Sequence, residues 1–328
     1  MNSFGRLFRV SIFGESHGEN VGVVIDGCPA GIPLTVEDFS ADLERRKGGT
    51  KGTTPRKEDD IPEIVSGVFN KKTTGVPITI LFKNSNTRSG DYEKQKAVPR
   101  PGHADFVASK KFDGYQDYRG GGHFSGRLTV ALVAAGIVAK KILGHIKVES
   151  TILEIGGETD LDKGLQKAID AKDSIGGIVE CRVNDLPIGL GEPFFDSAES
   201  LISHAVFAIP AVRAIEFGTG FAAAKMFGSK HNDAIENGNG KTTTNHAGGV
   251  VGGLTNGNEL VFRIAIKPTS STPQEQQTLN IETNTIEPFS VKGRHDLCIA
   301  LRVPVVLEAA TAIVLADLML LSKKISVK

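Results

Sequence analysis

The 328-residue sequence sets 38 lysine and arginine residues against 38 aspartate and glutamate residues, so no global field draws it to nucleic acid or an anionic membrane, and any anion site must be local. Its 40% hydrophobic content suffices for a substantial core, while three tyrosines and no tryptophan leave little surface for stacking on single-stranded nucleic acid. Cys28, Cys181 and Cys298 are far apart, with no spacing for zinc or a disulfide framework, which fits a reducing cytoplasm.

Along the chain, Arg6 and Arg9 break the opening segment and leave no signal-peptide core. Runs rich in β-branched residues predict strands over 21–27, 76–82, 177–183 and 259–267. Thr35 with Asp38 makes a capping-box signal for a helix whose Val36, Phe39 and Leu43 share one face and which ends at Arg45, Arg46 and Lys47. The segment 128–143 is a small-residue helix, apolar around its whole circumference and expected between other layers. A further helix is expected from Asp196, with Glu199 three residues on, and a last one over about 305–323. The apolar stretch 303–321 has the length of a membrane span, but Pro304, Glu308 and Asp317 within it point to a buried helix and no membrane partner. Long segments rich in Gly, Thr and charge, at 47–60, 84–102, 228–258 and 268–298, read as functional loops. No repeat or linker divides the chain, so 1–328 is expected to form a single domain.

Five clusters carry candidate chemistry. GESHG (14–18) frees space around His17, and RPGHAD (100–105) sets His103 beside Arg100 and Asp105, where an imidazole can donate a proton near neutral pH. Each also reads as a structural turn. RGGGHFSGR (119–127) precedes the buried helix and brings Arg119, His123 and Arg127 to a glycine loop suited to an anion. It is not a P-loop, since arginine replaces the lysine and Leu128 the following hydroxyl residue, nor a dinucleotide fingerprint, since Ser125 stands where the last glycine should be. NHAGGVVGG (245–253) permits close approach to a flat or phosphorylated ligand, or forms a sheet corner. KPTSS (267–271) and GRHD (293–296) add lysine, hydroxyls, arginine, histidine and aspartate at the ends of extended runs, or else form solvated loops. The HxD pairs His103/Asp105 and His231/Asp233 raise a metallophosphatase alternative, but no three- or four-ligand set emerges and no metal is expected. The residues alone therefore imply a phosphate-bearing substrate and acid/base histidines; they do not name a cofactor.

GESHG, DGCPAGIPL, RRKGGTKGTTPRKE, SGVFNKKTTGVPI, RPGHAD, DYRGGG, GLGEP, HAGGVVGG, IAIKPTSS and GRHDLC, in this order over nearly the whole chain, resemble the chorismate synthase family. The resemblance implies an α+β fold, a single-domain β-α-β sandwich with helices packed between antiparallel sheets, that assembles as a homotetramer. It implies an anti 1,4-elimination of phosphate from 5-enolpyruvylshikimate 3-phosphate, giving chorismate, with reduced FMN required but not consumed and NADPH as a possible reductant. It assigns catalytic roles to His17, His103 and Asp296. It assigns flavin contacts to His123, Phe124, Ser125, Pro210, Ala211, Gly252, Lys267, Pro268, Thr269, Ser270, Ser271 and Arg294. Arg46, Arg100, Arg127 and Arg294 are expected to hold substrate phosphate and carboxylates, for which a planar guanidinium is suited.

Departures from the family pattern fall at His123 and Leu128, in HFSGRLT where RSSARET is common, at Leu297 in GRHDLC, where proline is common, and at Pro210, which lacks an amide donor. Gly52 replaces a family arginine, with Lys51 as its expected substitute. The region 152–175 is short, which predicts a reduced peripheral helix or loop.

Overall fold

A computed structural model describes residues 1–55, 58–85, 96–291 and 295–325. Two antiparallel sheets enclose helices. The first contains β1 (Ser3–Phe4), β2 (Arg9–Gly14), β3 (Asn20–Asp26) and β4 (Glu63–Ser66); after a small ribbon of β5 (Val68–Phe69) and β6 (Lys72–Thr73) it gains β7 (Ile78–Lys83), giving the order β1-β2-β3-β7-β4. The second contains β8 (Val148–Ile155), β9 (Gly177–Val183), β10 (Val212–Phe217) and, after the hairpin β11 (Val250–Val251) and β12 (Leu254–Thr255), β13 (Leu260–Ile266), in the order β10-β13-β9-β8. A last hairpin pairs β14 (Gln276–Asn280) with β15 (Thr285–Phe289). The helices are α1 (Ser40–Arg46), α2 (Asp105–Lys111), α3 (Thr129–Leu143), α4 (Leu161–Ala171), α5 (Ala198–Val206), the single turn α6 (Gly228–His231) and α7 (Val303–Ile325).

Period-2 patterning decides which sheet faces turn inward. Val21, Val23 and Ile25 on β3 pair with Phe82, Ile80 and Ile78 on β7, all fully buried. On β13, Leu260, Phe262, Ile264 and Ile266 are buried in alternation with partly exposed neighbours. α3 covers the first sheet through β2, β3 and β7, α7 covers the second through β8 and β9, and the two helices pack on each other. Their approach is set by small side chains: a Cβ added to Gly136 would come within 2.3 Å of the Ala309 Cβ. That contact explains why residues 128–143 are apolar all round, since both faces of α3 are covered. The membrane-length candidate helix is likewise internal, with 78% of its most apolar window buried.

Two carboxylates tie these layers together. Glu308 on α7, 3% exposed, accepts from Arg45 at 2.7 and 2.8 Å, from Lys140 at 3.1 Å and from the Ser150 amide at 3.2 Å, joining α1, α3 and β8. Asp317, also on α7, accepts from the amides of Arg6, Leu7 and Phe8 at 2.9, 2.7 and 2.8 Å. A buried carboxylate is stable only with such partners.

Two expectations shift. The helix expected from Asp196 begins at Ala198, because Ser197 is the cap, accepting from the Ser200 amide at 3.0 Å, while Asp196 pairs with Arg6. The segments 228–258 and 268–298 are not irregular throughout, since they contain β11–β12 and β14–β15. The region 152–175 holds the eleven-residue α4.

Candidate active site

A cavity of about 720 Å³, within the range of small-molecule sites, opens where the β2–β3 turn, the start of β10, the end of β13 and the N-terminal approaches to α3 and α7 converge. His17, His103, Asp296, Arg46, Arg100 and Arg127 all line it. So do His123, Phe124, Ser125, Pro210, Ala211 and all five residues of Lys267–Ser271. Gly252 does not: it sits at the tip of the β11–β12 hairpin with φ +62°, as the turn requires. The surrounding NHAGG segment is a sheet corner, in which Gly248 and Gly249 allow backbone contact with Gly218 and Leu260. Arg294 lies outside the described residues.

The three glycines of RGGGH hold the centre of the site. Gly120, Gly121 and Gly122 have φ of +60°, +82° and +53°. A Cβ on Gly120 would come within 2.7 Å of His17 Nε2, one on Gly121 within 3.2 Å of His103 Nε2, and one on Gly122 within 2.0 Å of the Asp117 carbonyl oxygen. The loop thus packs bare backbone against both histidines, one on each neighbouring residue. Gly120→Ala is expected to displace His17 and to add left-handed strain of about 1–2 kcal/mol. Turnover should fall further than stability, as comparison of initial rates with a thermal melt will show.

His103 is oriented by a local network. Its Nδ1 lies 2.6 Å from Asp105 Oδ1, and Asp105 is gripped by Arg100 through Nε at 2.7 Å, Nη2 at 2.8 Å and the backbone amide at 3.1 Å. Burial opposes ionisation of Asp105, but the hydrogen bonds from Arg100 and His103 outweigh it and hold the carboxyl far below the usual range. An ionised carboxylate only accepts, so Nδ1 carries the hydrogen and Nε2 is left for chemistry. Arg100 Nη1 also donates to Ser271 Oγ at 3.1 Å, coupling RPGHAD to KPTSS.

On the other wall, Asp60 lies between two guanidiniums. Its Oδ2 accepts from Arg46 Nη2 at 2.6 Å and its Oδ1 from Arg127, with all three side chains at most 4% exposed. Burial raises the Asp60 pKa, but the two arginine charges prevail and keep it lowered. Arg46 also donates to Thr129 at 3.2 Å, and Arg127 to Asn84 at 2.8 Å and the Lys83 carbonyl at 3.2 Å. Two cations share this anion, and the buried carboxylate of Glu58, which also lines the cavity, adds a further attraction to both. Asp60 was not singled out from sequence.

Asp296 is fixed by the Thr54 amide at 2.8 Å and Arg302 Nη1 at 3.2 Å. Leu297, in place of the common proline, uses its carbonyl to accept from Ile175 at 2.8 Å. Pro210 takes the second position of a turn closed by the Val212 amide on the Ile209 carbonyl at 3.3 Å, and Ala211 takes the third at φ +73°, as in a type II turn. His123 gives its Nδ1 hydrogen to the Gly14 carbonyl at 2.7 Å. Lys51 is not a substitute for the arginine replaced by Gly52: it reaches Gln166 at 3.4 Å, away from the cavity. A side chain on Gly52 would strike Leu165 at 2.5 Å, so this position serves packing.

His295, beside Asp296, also lines the cavity and was given no role from sequence. Burial, and then the Arg100 charge, push its pKa down to about 4 against the pull of Asp296. Above pH ~6.5 neither folded nor unfolded chain protonates it; below that the unfolded chain binds a proton first, so stability falls until the folded form follows near pH 4. In His295→Gln, urea midpoints measured over this window should decline less steeply with acid than in the parent.

The sequence model of the chorismate synthase family matches residues 8–320. A chorismate synthase from Chitinophaga pinensis is 71% identical over 325 residues, spanning 99% of this chain and 98% of its own. The chain belongs to the chorismate synthase family. A chorismate synthase from Methanocaldococcus jannaschii is 40% identical, over 98% of this chain and 96% of its own. A crystal structure of a chorismate synthase superposes with a TM-score of 0.74 at 27% identity, covering 97% of this chain and 93% of the other. The antiparallel sheets and packed helices are those of the chorismate synthase fold.

Proposed function

We propose that this protein catalyses the anti 1,4-elimination of phosphate from 5-enolpyruvylshikimate 3-phosphate to give chorismate, the last common step toward aromatic amino acids, as a carbon–oxygen lyase without net redox change. The observation that carries the reading is the cavity of about 720 Å³ in which His17 and His103 flank one glycine loop beside Arg46, Arg100 and Arg127.

Reduced FMN fits the cavity's lining. Leu132, Val306, Ala310 and Ile313 offer apolar wall for a flat ring, while Lys267 and Ser270, bonded to each other at 2.6 Å, and Ser271 offer a cationic and hydroxyl rim for a phosphate. His123, Phe124, Ser125, Pro210, Ala211, Pro268 and Thr269 complete the flavin contacts proposed here. When bound, reduced FMN supplies transient electron donation that weakens the allylic C–O bond. Arg46, Arg100 and Arg127 supply the positive charge that holds the substrate's phosphate and carboxylates and stabilises charge as it develops on the leaving phosphate. His17 donates the proton that the departing phosphate takes up. His103, with Nδ1 committed to Asp105, offers Nε2 as a proton donor toward the flavin, and Asp296 assists proton removal there. The protein works as a cytoplasmic homotetramer, and its flavin is reduced either by NADPH on the protein or by an external reductase.

The test is anaerobic phosphate release from 5-enolpyruvylshikimate 3-phosphate with reduced FMN, oxidised FMN or no flavin, following chorismate by absorbance. Turnover confined to reduced FMN supports the lyase. Binding without turnover would instead mark a flavin- or phosphate-binding module, and flavin-independent release a phosphohydrolase.

A further inference from the structure

Behind the glycine loop lies a second, smaller cavity of about 120 Å³. His103, Ala104 and Phe124 line both cavities, so His103 forms part of the wall between them. The Cε1–Nε2 edge of its ring rests on Gly121, which also lines the smaller chamber; an added Cβ there would meet these atoms at 3.0 and 3.2 Å. The chamber's wall is largely apolar, but Asp105, Gln116, Asp117 and Tyr118 set polar groups into it. Two further lining residues, Lys96 and Glu282, are exposed and mark the side that opens to solvent.

Gln116 shows what the chamber is for. Its Oε1 is buried and has no hydrogen-bond partner among the described residues. An amide oxygen left so in a protein interior costs several kcal/mol, and the usual remedy is bound water. One water needs about 10–15 Å³ of probe volume, so a chamber of about 120 Å³ holds several. The opposite side of the same wall must be dry during chemistry, because a flavin and a phosphorylated ring filling the main cavity exclude solvent from it.

We propose that this chamber holds a water chain that exchanges protons between bulk solvent and His103 behind the occupied ligand cavity. The inference rests on reading His103 as a proton donor. After Nε2 has given up its hydrogen, the imidazole is neutral and must regain one proton before the next turnover. Chamber water supplies it: one O–H bond breaks, one N–H bond forms and the deficit passes outward along the chain to solvent, while the proton that His103 gave up leaves by way of Asp296, so that uptake and release balance over a turnover. Gln116 is a positioning residue in this scheme, acting only through the water it anchors.

Two substitutions leave His103 and the main cavity untouched. Gln116→Leu keeps side-chain volume but removes the anchor, and Ala108→Leu, at a buried position on α2 that lines the chamber, fills it. The first measurement needs no turnover. In ¹⁵N-histidine-labelled protein saturated with oxidised FMN and 5-enolpyruvylshikimate 3-phosphate, exchange of the His103 ring hydrogen with solvent should slow about tenfold or more in both variants. With reduced FMN, kcat should fall about tenfold at a KM within about twofold, a fraction of what general acid catalysis contributes, and the solvent deuterium isotope effect should rise. Gln116→Glu, which keeps a carboxyl-type oxygen in place, should recover most of the rate. Ring exchange and isotope effect unchanged in Gln116→Leu would overturn the proposal, even if Ala108→Leu failed to fold. If the parent protein turns over and depends on His103 while Gln116→Leu matches it, the chamber proposal fails and the functional reading stands. Slowed exchange in a protein without turnover would support the chamber and count against the functional reading alone.

Discussion

Replacing His103 with alanine is expected to lower phosphate release by about 10²–10⁴-fold while flavin affinity stays within a few-fold. The asymmetry follows from geometry. His103 contributes one edge to a cavity that Lys267–Ser271, Pro210, Ala211 and Phe124 also line, so most flavin contacts survive its loss. Its Nδ1 is tied to Asp105 at 2.6 Å, and Asp105 to Arg100 at 2.7 and 2.8 Å, so Nε2 is held in one tautomer and one direction. Asp105→Asn should produce a milder version of the same defect, since an amide can present its NH₂ to Nδ1 and favour the wrong tautomer. Fluorescence titration of FMN alongside anaerobic turnover distinguishes the two effects; full activity in His103→Ala would remove the proposed role.

Asp60→Asn should cost about 3–5 kcal/mol of stability, the largest loss expected from any single change at this site. The substitution is clean for the backbone. Asp60 has φ +51°, a conformation that asparagine tolerates as well as aspartate does, so backbone strain does not change. The charge goes and one acceptor oxygen becomes an NH₂ donor facing a guanidinium, so Arg46 and Arg127, each with 4% of its side chain exposed, keep only the attraction of Glu58. Inorganic phosphate should then stabilise the variant more than the parent, because a bound anion replaces the missing carboxylate and ligand binding to the folded state adds directly to stability. Urea denaturation with and without phosphate measures both effects. A loss below ~1 kcal/mol would mean that water, not Asp60, balances the two arginines.

What the sequence made legible follows from how local each signal is. RPGHAD carries its own network, since Arg100, His103 and Asp105 meet within six residues, and reading it needed no knowledge of the fold. Asp60 sits in the acidic run EDD, which looks like a solvated loop, and only the folding of α1 and α3 around it brings Arg46 and Arg127 into contact. Glycine composition was equally ambiguous. Gly120 and Gly121 free space for two histidines, whereas Gly248 and Gly249 free space for other backbone, and nothing in GGG or HAGG separates the two uses. The hairpin β14–β15 was hidden because QQTLN and TIEPF lack a run of apolar residues. α4 was hidden partly by Gly164, a weak helix former that this position needs because a Cβ would come within 2.2 Å of the Ile155 carbonyl oxygen.

The place of α7 governs how the chain can be born. This helix is the inner layer against the second sheet, and its Asp317 takes the amides of Arg6, Leu7 and Phe8, residues made some 300 positions earlier. Until residue 317 clears the ribosome, α3 has no partner for Gly136, the second sheet has no covering helix, and three amides near the start of the chain lack their acceptor. At about 5–20 residues per second the nascent protein therefore spends many seconds with most of its apolar faces exposed, and closure comes late and all together. Truncations of α7 should accordingly yield aggregation-prone chains in vivo, and holdase chaperones should bind the nascent protein until α7 has emerged.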